Sequence, residues 1–416
     1  MSQDVYLAAG LRIPFLRSGT AYAGDDPLTL SAPVMQAMAD ITRPDLIVWG
    51  QVIPSIQLSN IAREAALDAG LDPTIPAYST QLACSTSMMG VIQASGLIGR
   101  GGIGTALVGG VEQMGRAPIA LDERVSAQLA ALAASDPAAA MEAFGNLGMK
   151  DFALPTKGWA NRISGRSMGQ HMEETAQNLE IARDAQDAHA LASHQRAGAA
   201  WDRGFFDSLV IGHAGVERDG LIRPDSTAEK LASLKPAFAA DGLLTAGNSS
   251  PITDGAAGVW VTSKEGLDAL GSDVPAVKLI DFELGALDFE ADGMLMAPAY
   301  AIPRLLARNG LRFEDIDVYE IHEAFAAQVL ANIQVASDPK ARALHAPDMP
   351  DLGDFPYERV NPNGGSLSIG HPFGATGARI ISQTAAELAD KPSGTRALIS
   401  ICADGGQGTV LLVERP

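Results

Sequence analysis

Short apolar runs alternate with helical patterns over the first 115 residues. The stretches "DLIVWGQVI" (45–53) and "TALVGGVEQMG" (105–115) are brief, almost wholly apolar and interrupted by glycine. That pattern predicts strands buried on both faces. Between them, residues 84–98 set Met88, Val91, Ile92, Ser95 and Leu97 at spacings compatible with a buried helix. Strands alternating with helices imply a parallel sheet and an α/β fold.

The same order of elements recurs near the C-terminus. "DIDVYEIHEAF" (315–325) parallels the run at 45–53, and "RALISICADGGQG" (396–408) parallels "TALVGGVEQMG". "GGSLSIGHPFGATGARIISQTAAEL" (364–388) offers a turn and then a helix, as 81–98 does. The order alone, without residue identity, predicts a tandem repeat of one α/β unit. Chemistry is then expected where the carboxyl ends of strands from the two halves meet. Residues 117–245 fit neither half. They hold an Ala-rich stretch (126–143) and a helical stretch (167–204) with charge on most of its faces. The expected division is 1–116 plus 246–270 as the N-terminal half, 117–245 as a helical insertion, and 271–416 as the C-terminal half. The insertion reads either as a lid over a substrate groove or as a packing element without a ligand role.

Composition narrows the functional classes. Across 416 residues the chain is 47% hydrophobic and 5% aromatic with 43 glycines, which suits a tightly packed α/β core. A formal net charge of −19 argues against nucleic acid as a partner, so an anionic substrate must meet a local basic patch. Two cysteines, Cys84 and Cys402, form no disulfide framework and fit a reducing compartment. "MSQDVYLAAGLRIPF" lacks a basic segment followed by an apolar one, and no 18-residue apolar run occurs. A cytoplasmic protein without a transmembrane segment is expected.

The candidate chemistry lies at junctions of strand, loop and helix. Cys84, in "QLACSTSMMG", opens a predicted helix, whose N–H groups and dipole favour a thiolate. Cys402 ends an apolar strand ahead of "ADGGQG". His371 sits in the glycine-rich loop "GGSLSIGHPFGATG", and His322 follows a strand in "EIHEAFAAQ" beside Glu323. Taken singly, each reads as readily as a packed or hydrogen-bonded structural residue. Together they suggest nucleophile, base and oxyanion donors. A Cys₂His₂ zinc site uses the same residue types, but no pair has the short ligand spacing of zinc motifs, so no metal is expected.

Seven separated motifs carry a resemblance: "LACSTSMMG", "GRAP" after "VGGVEQM", "STAEKLASLKPAF", "TAGNSSPITDGAAGV", "IHEAFAAQ", "NPNGGSLSIGHPFGATGAR" and "CADGGQGTVLLVE". In this order they resemble the thiolase family along nearly the whole chain. The resemblance implies two tandem α/β halves stacked as five layers. It implies Cys84 as the nucleophile that takes the acyl group, and His371 as the histidine that activates it. Cys402 then handles the proton at the α-carbon, and His322 with an ordered water holds an enolate oxygen. "HEAF" in place of "NEAF", with "QVIPSIQLSNIARE" and "MLMAPAYAIPRLL", resembles the thiolase (β) subunits of fatty-acid oxidation complexes. The implied activity is cleavage of 3-ketoacyl-CoA by CoA, with no tightly bound cofactor.

Further implications follow from the same resemblance. Ser250 matches a contact to the pantetheine arm and Arg223 one near the adenine nucleotide. Met168, Phe238 and Phe325 match positions lining the CoA groove. A homodimer or tetramer is implied, with a hydratase/dehydrogenase subunit as a further partner. Ser85, Thr86 and Ser87 are expected to leave room at the helix start. One departure stands out: Asp404 occupies the first glycine position of the family's Cys-x-Gly-Gly-Gly. Its backbone N–H is implied in an oxyanion hole with that of Cys84. A carboxylate there opposes thiolate formation unless it turns away, and a non-glycine residue is ill suited to a glycine's φ. The alternatives are an acetoacetyl-CoA-forming thiolase, a condensing synthase of the same fold, and a non-catalytic acyl-CoA-binding subunit.

Overall fold

The computed structural model describes residues 3–116, 118–153, 160–341 and 349–416. Ala117 of the "GRAP" motif lies outside them. Twelve strands are found among the described residues: β1 (Tyr6–Ala8), β2 (Leu16–Arg17), β3 (Leu46–Gly50), β4 (Ala77–Thr80), β5 (Thr105–Glu112), β6 (Ala120–Leu121), β7 (Phe152–Ala153), β8 (Thr253–Thr262), β9 (Ala276–Ala286), β10 (Val318–Ile321), β11 (Arg396–Ala403) and β12 (Gln407–Glu414). All but β6 and β7 join one sheet, ordered β10-β11-β12-β9-β1-β8-β5-β3-β4, with β2 on β8.

The repeat predicted from element order is explicit in this topology. In one half β3 pairs parallel with β5, β5 antiparallel with β8, and β8 antiparallel with β1. In the other, β10 pairs parallel with β11, β11 antiparallel with β12, and β12 antiparallel with β9. The halves join where β1 pairs with β9 over residues 6–8 and 276–278.

Side-chain alternation along the strands explains the layers. On β3, Ile47 and Trp49 face a core shared with the outer helices Pro27–Ala39 and Ile61–Asp68. Leu46 and Val48 face a second core, which contains Met88 and Val91 of one helix and Ile380 and Ile381 of another. Ile399 and Leu411 of the C-terminal half enter that same second core. Leu398, Val410 and Leu412 point the other way, onto the helices Ala297–Arg308 and Ala326–Ser337. The result is helices, sheet, central helices, sheet and helices. Every residue of β3, β5 and β8 is buried, as covering both faces requires.

The two central helices, Thr86–Gly99 and Thr376–Leu388, meet closely. A Cβ on Gly377 would lie 2.6 Å from the Met88 nitrogen, so only glycine permits this approach. Ser87 Oγ accepts a hydrogen bond from the Ala378 N–H at 3.0 Å across the same contact.

Several expectations need correction. The helix begins at Thr86 rather than Cys84, and Leu97 is 42% exposed; Ile98 fills the buried position instead. After His322 and Glu323 the next helix begins only at Ala326. The 167–204 stretch is two helices, Met168–Asn178 and Arg183–Asp202, split by Glu180 at φ 55°. Only part of its polar surface is solvated. Gln186, Asp187, His189, Ser193 and His194 are buried, and Asp187 receives both Arg183 (2.7 Å) and Asn248 (3.0 Å).

Candidate active site

Cys84 stands on a tight turn between β4 and the helix Thr86–Gly99. Ala83, just before it, is held at φ 43°, where a side chain is strained by about 1–3 kcal/mol. The hydroxyls that follow hold the turn rather than leaving room. Thr86 Oγ1 accepts from the Leu82 N–H (2.9 Å) and donates to the Ala83 carbonyl (2.7 Å). Ser85 Oγ pairs with Thr409 Oγ1 of β12, in the opposite half.

The C-terminal half delivers the other groups to this turn. His322 leaves the end of β10, His371 lies in the loop before the helix Thr376–Leu388, and Cys402 lies near the end of β11. Cys84 Sγ and one nitrogen each of His322 and His371 all lie within 4.8 Å of one another. The two imidazole rings are 4.1 Å apart between centroids. Cys84 is half-buried; His322, His371 and Cys402 are buried. The three residues grouped in the sequence thus form a Cys-His-His set, a donor combination that a thiophilic ion can use.

Each histidine is anchored by Nδ1 and leaves Nε2 without a hydrogen-bond partner among the described residues. His371 Nδ1 bonds Thr376 Oγ1 at 2.7 Å, and His322 Nδ1 bonds Ser366 Oγ at 2.9 Å. Burial, and then the Arg379 charge, lowers the His371 pKa to about 3. Burial, then His371 and Arg379, holds His322 well below its ordinary range. The thiols move the other way. Burial and the Asp404 carboxylate push Cys84 up to about 12, partly offset by the Cys84 and Asp404 backbone N–H groups, which favour the thiolate. Burial and the nearby Cys84 push Cys402 well above its ordinary value. All four groups are therefore neutral at rest near neutral pH.

Asp404 does not suffer the expected backbone strain. The positive φ angles of this turn fall on Gly405 (86°) and Gly406 (69°), the two glycines that follow. The Asp404 carboxylate is held by Asn161, whose Nδ2 donates to Oδ1 at 2.8 Å.

The other expected residues divide. Met168, Phe238 and Phe325 belong to the apolar cluster that contains Cys402, and the rings of Phe238 and Phe325 meet edge-on at 5.7 Å. Ser250 adjoins the "HEAF" segment, its N–H donating to the Ala324 carbonyl at 2.9 Å. Arg223 lies outside that cluster, its backbone N–H donating to His194 Nδ1 at 3.2 Å.

Two buried carboxylates, to which the sequence assigned no role, fasten the site loops. Glu112 accepts from the N–H groups of Val52 (3.1 Å), Ile53 (2.9 Å) and Gly374 (3.1 Å), tying "QVIP" to the His371 loop. Glu323 accepts from Ser193 Oγ (2.8 Å), Asn361 Nδ2 (2.7 Å) and the Leu367 N–H (3.1 Å). Both lie within recognisable motifs, yet their partners are 38 to 262 positions away.

Known proteins match the whole of this architecture. A family model for the thiolase N-terminal domain matches residues 5–265, and one for the thiolase C-terminal domain matches 274–415. A 3-ketoacyl-CoA thiolase of Shewanella sediminis is 36% identical over 423 residues, 99% of this chain and 96% of that protein. The one from Shewanella oneidensis is 36% identical over 427 residues, covering 99% and 97%. The crystal structure of the Bacillus anthracis acetyl-CoA acetyltransferase superposes with a TM-score of 0.83 at 31% identity, covering 99% of both chains. Fold, repeat and full-length similarity agree: the chain belongs to the thiolase family.

Proposed function

We propose that the protein is a 3-ketoacyl-CoA thiolase, an acetyl-CoA C-acyltransferase that cleaves 3-ketoacyl-CoA with CoA. The observation that carries this is the meeting of the Cys84 thiol with His322 and His371, whose Nε2 atoms have no partner among the described residues. The names of the full-length Shewanella relatives support it.

The reaction divides into two balanced halves. Cys84 sulfur attacks the 3-keto carbon as its proton passes to His371 Nε2, starting from the neutral pair described above. The bond between C2 and C3 then breaks, leaving the acyl group on Cys84 and an enolate of acetyl-CoA. His322 Nε2–H holds the enolate oxygen, and Cys402 gives its proton to C2. In the second half the CoA thiol gives its proton to the Cys402 thiolate and attacks the thioester. Cys84 leaves and recovers its proton from His371. The N–H groups of Cys84 and Asp404, both of which favour negative charge on the Cys84 sulfur, form the second oxyanion hole.

Ser250, Met168, Phe238 and Phe325 are proposed to line the CoA and acyl groove, and Arg223 to meet the nucleotide. The 117–245 insertion, set between halves at 1–116 plus 246–270 and at 271–416, forms one groove wall. A cytoplasmic location, a homodimer or tetramer, and a hydratase/dehydrogenase partner belong to the same proposal. Among the described residues no helix is long and apolar enough to cross a membrane. The second reading is an acetoacetyl-CoA-forming thiolase, favoured by the Bacillus acetyl-CoA acetyltransferase. Cys402 beside Cys84 speaks against a condensing synthase.

The test is intact mass after brief exposure to 3-ketoacyl-CoA without free CoA, comparing wild type with Cys84→Ala. An acyl adduct on wild type alone, cleared by adding CoA, is the expected result. Substrates of graded acyl length, from acetoacetyl-CoA to a long-chain 3-ketoacyl-CoA, separate the two readings. No adduct at any length sinks both.

A further inference from the structure

The two active-site histidines look alike at first: both are buried, both are anchored through Nδ1 to a hydroxyl, and both present Nε2 to the site. The hydroxyls, however, are wired in opposite senses. A serine or threonine hydroxyl has one hydrogen to give and two lone pairs to accept with. Thr376 Oγ1 lies 2.9 Å from the Pro372 carbonyl, which can only accept. The threonine hydrogen is committed there, so the 2.7 Å contact with His371 needs the hydrogen on His371 Nδ1. His371 Nε2 then carries a lone pair.

Ser366 Oγ faces the reverse situation. Arg379 Nη2 lies 2.7 Å away, and a guanidinium can only donate. One serine lone pair is used, and the serine hydrogen has a single remaining partner among the described residues, His322 Nδ1 at 2.9 Å. A hydrogen on His322 Nδ1 would leave a fully buried serine hydroxyl without an acceptor, which is costly. His322 Nδ1 therefore accepts, and its Nε2 carries the hydrogen. Arg379 is set for this by Gln383: Arg379 Nη1 reaches Gln383 Oε1 at 3.4 Å, and Gln383 Nε2 donates to the Gly364 carbonyl (3.1 Å) and to Glu320 Oε1 (3.3 Å).

We propose that Ser366 and Arg379 are positioning residues that lock His322 with its hydrogen on Nε2, while Thr376 locks His371 in the opposite tautomer. Two adjacent imidazoles thereby present one acceptor and one donor to the same small space. The acceptor takes the Cys84 proton; the donor holds an oxyanion. Exchanging the wiring would aim an N–H at the thiol and a lone pair at the oxyanion. This catalytic use rests on the thiolase reading, whereas the tautomers themselves do not.

Long-range ¹H–¹⁵N correlation spectra of the full-length protein labelled with ¹⁵N-histidine read the tautomers directly, with His322→Gln and His371→Gln as assignment controls. His322 is expected to show a protonated Nε2 and a bare Nδ1, and His371 the reverse. In Ser366→Ala the His322 pattern should shift towards Nδ1–H, while Ser366→Thr retains it. The same alanine change should lower kcat about tenfold to a hundredfold with KM little altered, less than losing an oxyanion donor outright. Identical tautomers on the two histidines in the wild type overturn the proposal without any variant having to fold. So does a His322 pattern that Ser366→Ala leaves unchanged. Opposite tautomers in a protein that never forms an acyl adduct would keep the wiring and remove the thiolase reading.

Discussion

Asp404 shows how one side chain can both harm and be managed. Its backbone N–H favours the Cys84 thiolate, while its carboxylate is second only to burial in raising that thiol. Asn161 pulls on the carboxylate through Nδ2 at 2.8 Å. The two ends of this hydrogen bond should respond with opposite signs. Asp404→Gly removes the negative charge and lowers the Cys84 pKa, so iodoacetamide should label the thiol severalfold faster at about pH 8. Asn161→Ala frees the carboxylate to move towards the sulfur and should slow labelling. At a pH below its pKa, a thiol gains about tenfold in thiolate each time that pKa falls by one. Cys402 is fully buried, so intact mass after the first labelling event reports Cys84. Equal rates in all three proteins would mean the carboxylate does not act on the nucleophile.

At the scale of elements, the loop carrying Asn361 to Ile369 is bound to the rest by Glu323. Burial raises the pKa of this carboxyl, but His189, Asn361 and Ser193 outweigh it, and the net value falls from 4.5 to about 2. A pKa lower in the folded state means the unfolded chain binds the proton more tightly. The resulting stability is complete above about pH 4.5 and is lost as pH falls through about 2. Glu323→Gln places an amide donor against the Asn361 Nδ2 donor, and should cost about 2–3 kcal/mol at pH 7 by denaturant titration. The loss relative to wild type should shrink steadily as the pH is lowered below 4.5. A constant difference across pH would show that lost packing, not the charge, is responsible. Such contacts mark the limit of what the chain discloses by itself. The runs at 45–53 and 105–115 announced β3 and β5 through apolar patterning, and Cys84, His322, His371 and Cys402 stood out by residue type at predicted junctions. Ser366, Arg379, Thr376 and Asn161 are common residues whose importance depends on a partner. For Asn161 and Asp404 that partner is 243 positions away, and no local pattern marks such a pair. Leu97 and the 167–204 helices misled for a related reason: periodicity finds a face but not what covers it.

For the whole molecule, the sheet ends differ. β10 is buried throughout, and Tyr319 bridges to Val360 along its outer side. β4 closes the other end with Ala77 and Tyr78 half-buried and Ser79 exposed. Asn60 Nδ2 already takes the outward Ala77 carbonyl at 3.1 Å, but the backbone groups left on an edge strand still invite another strand. A second copy of the chain, paired edge to edge through β4, would satisfy them across a two-fold axis. β4 ends at Thr80, a few residues before Cys84, so such pairing would also brace the strained turn at Ala83. The proposed oligomer then supports the nucleophile as well as covering an edge. Ser79→Lys sets two lysines against each other across that axis and should convert a dimer to a monomer in light scattering coupled to size exclusion. The monomer should keep its fold by circular dichroism but lose most of its rate of acyl-adduct formation. A dimer that survives the substitution would shift the interface to the exposed apolar face of β9, where Ile280, Phe282 and Leu284 are 39%, 39% and 47% exposed. A fully active monomer would show instead that the Cys84 turn holds itself, through Thr86 and the Ser85–Thr409 pair alone.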